Sequence, residues 1–233
     1  LAVAALVFWL LMRRFGQKLP QSRRALRFAA LAGVFLAFDL ALWHESIHAV
    51  GPGISTLLNS LQIFFLAAIG FLFFGERPGG WQVASLALAV AGVALIASPE
   101  FALNERAGWG LVSGTVSGAM LALSMAAIRK VHAVAPVALV PLMLILSVCG
   151  AASALPVALI AGEVLWPRSA QAVGLILVYG LVMQCLAWGL IAFAIPRLSL
   201  ALTGLFLLAE PVAALLLDAF WLMKPVAAIQ WGG

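Results

Sequence analysis

Charge is what this chain has least of. Asp, Glu, Lys and Arg make up 9% of its 233 residues, where a soluble domain carries roughly 25%. With 65% of its residues hydrophobic, it cannot cover its surface with polar groups, so its main solvent is lipid. Cysteine is scarce too. Cys149 and Cys185 both lie inside apolar runs, which excludes a disulfide framework and a CxxC metal site and leaves two small packing residues. No GxxxxGK[ST] run occurs, which excludes an ATP-driven pump of the phosphate-loop kind within this chain. No cofactor is expected. Positive charge is nearly missing from the long apolar runs. The pI near 10.0 therefore reads as loop charge facing a cytoplasmic leaflet, with no nucleic-acid partner.

What is present is a series of apolar spans: 1–12 (partial), 27–48, 54–75, 81–98, 109–128, 136–161, 170–195 and 198–222. The complete ones hold 18 to 26 residues, enough to cross a hydrocarbon core of about 30 Å at 1.5 Å per residue. Gly51-Pro52-Gly53, Pro78-Gly79-Gly80, Pro136, Pro196 and Pro225 punctuate the connections. Pro141 and Pro156 are expected to kink their helix. The ends look cut. Leu1 already lies in an apolar run, and residues 229–233 read as the opening of another span.

Loop charge alternates. One side receives Arg13, Arg14, Lys18, Arg23, Arg24, Arg27, Arg77, Arg129, Lys130 and Arg197; the other receives Arg106, Arg168 and Lys224. Ten against three places the first set in the cytoplasm.

The chain also repeats itself. Phe38, Asp39 and Trp43 return as Met183, Gln184 and Trp188, 145 positions later. Gln62 pairs with Glu210, and Glu76 with Lys224, at an offset of 148. Glu76 ends its span inside and Lys224 ends its span outside, so the two halves are inverted. Inverted halves create a site near the midplane that opens to either side in turn.

Polar residues within the spans mark that site. Glu210 sits near the middle of an apolar span, where a charge costs at least about 2.5 kcal/mol on insertion scales. Ser199, Thr203 and Glu210 share a helical face. A carboxyl there can bind an ammonium group or carry a proton, or it can simply brace a neighbouring helix. Ser55, Asn59 and Gln62 form a matching face that reads as a cavity wall or as interhelical hydrogen bonding. Asp39 lies one turn from Trp43, and Gln184 one turn from Trp188. Two indoles, a carboxylate and an amide suit an amphipathic or aromatic substrate. The expected substrate-binding set is Asp39, Trp43, Asn59, Gln62, Gln184, Trp188 and Glu210, with Glu210 the proton-coupling candidate. No catalytic residue and no resident metal are expected.

Two further patterns carry other meanings. His44-Glu45-Ser46-Ile47-His48 fits HExxH, the spacing of zinc metalloproteases. It keeps an intramembrane protease open as an alternative of another class, although a catalytic zinc needs a third protein ligand. Gly110, Gly114, Gly118, Ala122 and Ala126 fall every fourth residue and make a stripe for close helix approach.

The run Thr56-Leu57-Leu58-Asn59-Ser60-Leu61-Gln62, leading to Phe74-Gly75-Glu76-Arg77-Pro78, resembles the EamA family of the drug/metabolite transporter superfamily. So does Leu208-Ala209-Glu210-Pro211-Val212-Ala213-Ala214 in the second half. The resemblance implies an all-α, polytopic ten-helix bundle of two inverted five-helix repeats, here truncated at both ends. Residues 1–98 would then hold helices two to five, and 99–233 helices six to nine with the start of ten. Met223-Lys224 departs from the Gly-Glu often found there. The implied activity is secondary transport, usually outward, of amino acids or related small amphipathic metabolites by alternating access; drug efflux is the nearest alternative. The partners would be a small-molecule substrate and the lipid bilayer. The expected location is the bacterial inner (plasma) membrane, as a multi-pass protein.

The orientation has a direct check in a chain with Cys149 and Cys185 changed to serine. A cysteine replacing Arg129 should react with a membrane-impermeant thiol reagent from the cytoplasmic side, and one replacing Arg106 from outside. Labelling of both from the same side contradicts the positive-inside assignment.

Overall fold

The computed structural model describes residues 1–77, 79–81, 84–85, 87–88, 105–162 and 165–207. All secondary structure among them is helical. Helix α1 covers Ala2–Arg14, α2 Arg23–Asn59, α3 Gln62–Phe74, α4 Ala107–Val134 and α5 Leu139–Ile160. Helix α6, Ala170–Tyr179, runs through a π-helical stretch, Gly180–Ala187, into α7, Trp188–Ala194, and a 3-10 turn, Ile195–Arg197. Helix α8 covers Leu200–Leu207. Most of the expected span 81–98, and the expected span 198–222 beyond Leu207, lie outside the described residues.

Four described stretches are long and apolar enough to cross a membrane: Arg23–Phe74, Ala107–Val134, Leu139–Ile160 and Ala170–Arg197. The first stretch takes in both expected spans 27–48 and 54–75, the second runs six residues past the expected end at 128, and the other two agree with 136–161 and 170–195 to within three residues. Helix α6 buries none of its side chains, and Leu175, Ile176 and Val178 are exposed. An apolar face of that extent is at home in lipid and not in water. The protein is an integral, multi-pass membrane protein.

Local chemistry sets the helix ends. Ser22 and Ser169 offer their hydroxyls to Ala25 N–H (3.3 Å) and Ala172 N–H (3.1 Å), satisfying first-turn donors of α2 and α6. Helix α2 is folded over at Gly51, whose φ of 82° and ψ of 163° suit glycine alone. Ser55 Oγ donates to Trp43 O at 3.1 Å. Twelve residues of straight helix would hold those positions about 18 Å apart, so the chain doubles back. Proline gives a correction. Pro156 lies inside α5, whereas Pro141 falls in the first turn. A missing N–H costs nothing there, so no kink follows.

Contacts divide the chain into two units, one made of Leu1–Ala41 and Leu123–Leu198, the other of Leu42–Ala122 and Ser199–Gly233. In the first unit α1 packs on α5 and on the π-helical stretch. Gly33 touches α5 so closely that a Cβ would stand 2.2 Å from Leu146 O and 2.9 Å from Gly150 N. Ser124 Oγ donates to Ala32 O at 2.8 Å. Leu36, Ile128, Val131, Leu142, Met143 and Leu146 are fully buried.

In the second unit α3 packs on α8, with Gly204 against Ile63. The glycine stripe of α4 faces the doubled-back chain. A Cβ at Gly110 would meet Val50, one at Gly114 would meet Ser46 and Leu58, and one at Gly118 would meet Asn59 O at 2.6 Å. The stripe therefore serves close packing, which the spacing alone indicated.

Candidate substrate-binding site

The second unit holds a line of buried polar groups: Ser46, Ser55, Ser60, Gln62, Ser113 and Ser117. Where no water is available, each needs an internal partner. Most have one. Ser46 Oγ donates to Gly110 O at 2.9 Å, and Ser113 Oγ to Trp109 O at 2.8 Å. Asn59 Nδ2 donates to Ser117 Oγ at 2.5 Å. Ser117 was not among the expected residues. Its place beside Gly118 on the close-packing stripe is the signal that would have found it.

Gln62 is different. It is only 3% exposed, and its Oε1 has no hydrogen-bond partner among the described residues. It opens α3 just after a break in the helix. Ser60 N–H still reaches four back to Thr56 O at 2.9 Å. Leu61 N–H reaches only three back, to Leu58 O at 3.1 Å, and Ile63 and Phe64 N–H likewise bond Ser60 O and Leu61 O. This tightened turn interrupts the expected span 54–75 near its middle. The backbone of α4 lies against it, because a Cβ at Gly118 would also stand 3.1 Å from Gln62 N. Asn59, Ser117, Gln62 and the break thus share one place. Trp43 is half-buried, stands edge-on to His44, and its carbonyl receives Ser55.

The first unit holds three other expected residues. Asp39 is buried and already engaged. Gln184 is buried within the π-helical stretch, and Trp188 follows it, half-buried. Trp188 N–H reaches five residues back to Met183 O, the mark of a π turn. Such turns are frequent at functional sites. Nothing in the hydrophobic periodicity announced this one. Glu210 lies outside the described residues, as does Lys224.

The HExxH alternative gains no support. His44, Glu45 and His48 are exposed, and Glu45 Oε2 accepts Trp109 Nε1–H at 3.4 Å. Among the described residues no three His, Cys, Asp or Glu side chains gather to hold a metal.

Glu76 does work that its motif did not reveal. Gly75, at φ 66°, ends α3 in the left-handed region, and Glu76 N–H turns back to Gly70 O at 3.0 Å. The side chain lies over Gly70, where a Cβ would stand 2.6 Å from Oε2. Both carboxylate oxygens accept Leu200 N–H, at 3.2 and 3.1 Å. Ser199 Oγ accepts Leu202 N–H at 3.1 Å. A distant carboxylate and a local hydroxyl together cap α8, the positive end of whose dipole favours an anion.

Residues 1–98 match the family model of the EamA-like transporter family. That stretch is 98 of the 233 residues, and the likeness to this family extends over it alone. The match takes in Asp39, Trp43, Asn59, Gln62 and the Gly75-Glu76 cap. No curated protein matches. A crystal structure of a protein that is 16% identical matches 98% of this chain and 80% of its own, with a TM-score of 0.73. At that identity the likeness concerns the fold alone. EamA proteins are membrane transporters and not enzymes.

Removing the Glu76 cap should loosen α8. Glu76→Ala is expected to lower stability by about 1 kcal/mol. Glu76→Gln keeps an acceptor and should lose less. Thermal unfolding in detergent checks this; an unchanged midpoint for Glu76→Ala contradicts the capping role.

Proposed function

We propose that this protein is a transporter of the EamA kind, a secondary transporter that exports amino acids or related small amphipathic metabolites by alternating access. In this reading 1–98 and 99–233 are inverted repeats, and the substrate meets Asp39, Trp43, Asn59, Gln62, Gln184, Trp188 and Glu210. The observation that carries it is the orphaned Oε1 of Gln62, beside a break in an apolar span. A buried acceptor without a donor is costly. A substrate ammonium or amide N–H supplies that donor when it binds. Broken helices lining a polar place within the membrane are also how transporters expose backbone groups to substrate. The buried Gln184 on a π turn supports a second polar contact of the same kind.

Glu210 would couple the cycle to protons. If one half-cycle wets its carboxyl and the other seals it, its proton affinity differs between the two states. Proton binding then biases the conformational equilibrium.

A substrate screen in proteoliposomes, with and without a pH gradient, tests the reading. Gln62→Leu removes the orphaned oxygen at similar size. It should leave stability unchanged or raise it, while transport falls about tenfold or more. Glu210→Gln should abolish gradient-driven transport and leave weakened substrate binding. Wild-type transport by both variants contradicts the proposal.

A further inference from the structure

A second polar feature lies within the first unit and shares no residue with the proposed substrate contacts. The last turn of α4 carries His132, and the turn before it Arg129 and Lys130. The chain between α4 and α5, together with the 3-10 turn after α7, completes a groove of ≈ 510 Å³. It is lined by His132, Pro136, Val137, Ala138, Pro196 and Arg197. Arg129 Nη1 donates to Leu198 O at 3.0 Å and ties the end of α4 to the segment that carries Arg197.

Three observations give the groove its chemistry. First, the Nε2 atom of His132 is buried and has no hydrogen-bond partner among the described residues. Second, Arg197 is exposed, and its guanidinium lies 3.6 Å from the centroid of the Phe193 ring and donates to Phe193 O. A guanidinium has five N–H donors in a planar fork, so this stacking holds it in place and leaves donors over. Third, Ala138 opens α5 in an extended conformation with no side-chain cap. Pro141 has no N–H, so the first turn offers two, those of Leu139 and Val140, which follow the groove residue Ala138 at the positive end of the helix dipole. Against these donors, Asp39 is the only acidic residue among the described residues of this unit.

A planar cation, an imidazole and a helix N-terminus fit the oxygens of a phosphate group. The remaining walls are apolar, from Pro136, Val137, Ala138 and Pro196, and half-exposed Phe193 lies beside Arg197. Apolar walls do nothing for a hydrated free anion but suit the glycerol and acyl part of a lipid. The charge bias puts this end in the cytoplasmic interface, where anionic lipids concentrate. We propose that the groove is a binding site for the phosphate headgroup of an anionic phospholipid, held by His132 and Arg197. The proposal rests on the membrane-embedded reading and is independent of what the protein transports.

Native mass spectrometry of the whole chain, titrated with phosphatidylglycerol or phosphatidylcholine in detergent, tests it. Phosphatidylglycerol should bind the wild type in preference to phosphatidylcholine. His132→Ala combined with Arg197→Gln should weaken that binding about tenfold or more and leave phosphatidylcholine unaffected. Arg197→Glu, a change at an exposed side chain, gives the same reading should the double variant fold poorly. Displacement of the lipid by inorganic phosphate would keep the phosphate site and reassign its source to a soluble compound. Equal phosphatidylglycerol affinity in wild type, double variant and Arg197→Glu, with inorganic phosphate inert, overturns the proposal. The readout is lipid binding, so such a failure leaves the transport reading untouched.

Discussion

Without water, a backbone N–H or C=O that loses its helical partner must find another inside the protein. Four departures from regular helix among the described residues are organised by that constraint. At Gly51 the chain doubles back, and Ser55 donates to the Trp43 carbonyl on the way. At Leu61, Ile63 and Phe64 the bonding tightens to three residues. Between Gly180 and Ala187 it widens to five. At the start of α8, Glu76 reaches from the end of α3 to meet an N–H that has no helical partner. The interruptions are thus built features with named partners.

In the second unit the same accounting separates the bonded polar groups from Gln62, whose oxygen has no partner among the described residues. Buried serines in the second unit bond carbonyls, and Asn59 bonds Ser117. These hold helices together, a use open to small polar side chains in membranes. Gln62 shares their neighbourhood, yet its oxygen stays unmatched. A mutually satisfied network holds one conformation. A network short of one donor can respond to a molecule that brings it, which is the ground of the proposed substrate role of Gln62.

Much of the fold was legible because the membrane forces a simple code. The apolar spans 136–161 and 170–195, the glycine turn at Gly51 and the every-fourth glycine stripe of α4 were read correctly. What could not be read depends on distant partners. Glu76 was visible as part of a Gly-Glu motif, but its acceptor role exists only once Leu200 lies beside it. The π turn around Gln184 and the break before Gln62 leave the hydrophobic pattern undisturbed, so periodicity passes over both. Pro141 misled in the opposite direction, since a proline two residues into a helix is harmless where a central one would kink it. HExxH stayed an alternative because spacing on a helix brings two histidines together, and among the described residues no third ligand joins them.

The central claim is that the place around Gln62 opens to water and substrate during a transport cycle, although it is sealed in the conformation described here. Its most direct test is a single cysteine at position 62, in a chain whose Cys149 and Cys185 are serine, reconstituted in liposomes. The measurement is the rate of modification by a membrane-impermeant thiol reagent, with and without a transported substrate. The account predicts slow but complete modification that the substrate retards. A cysteine that never reacts, or reacts at a rate no substrate alters, would contradict it.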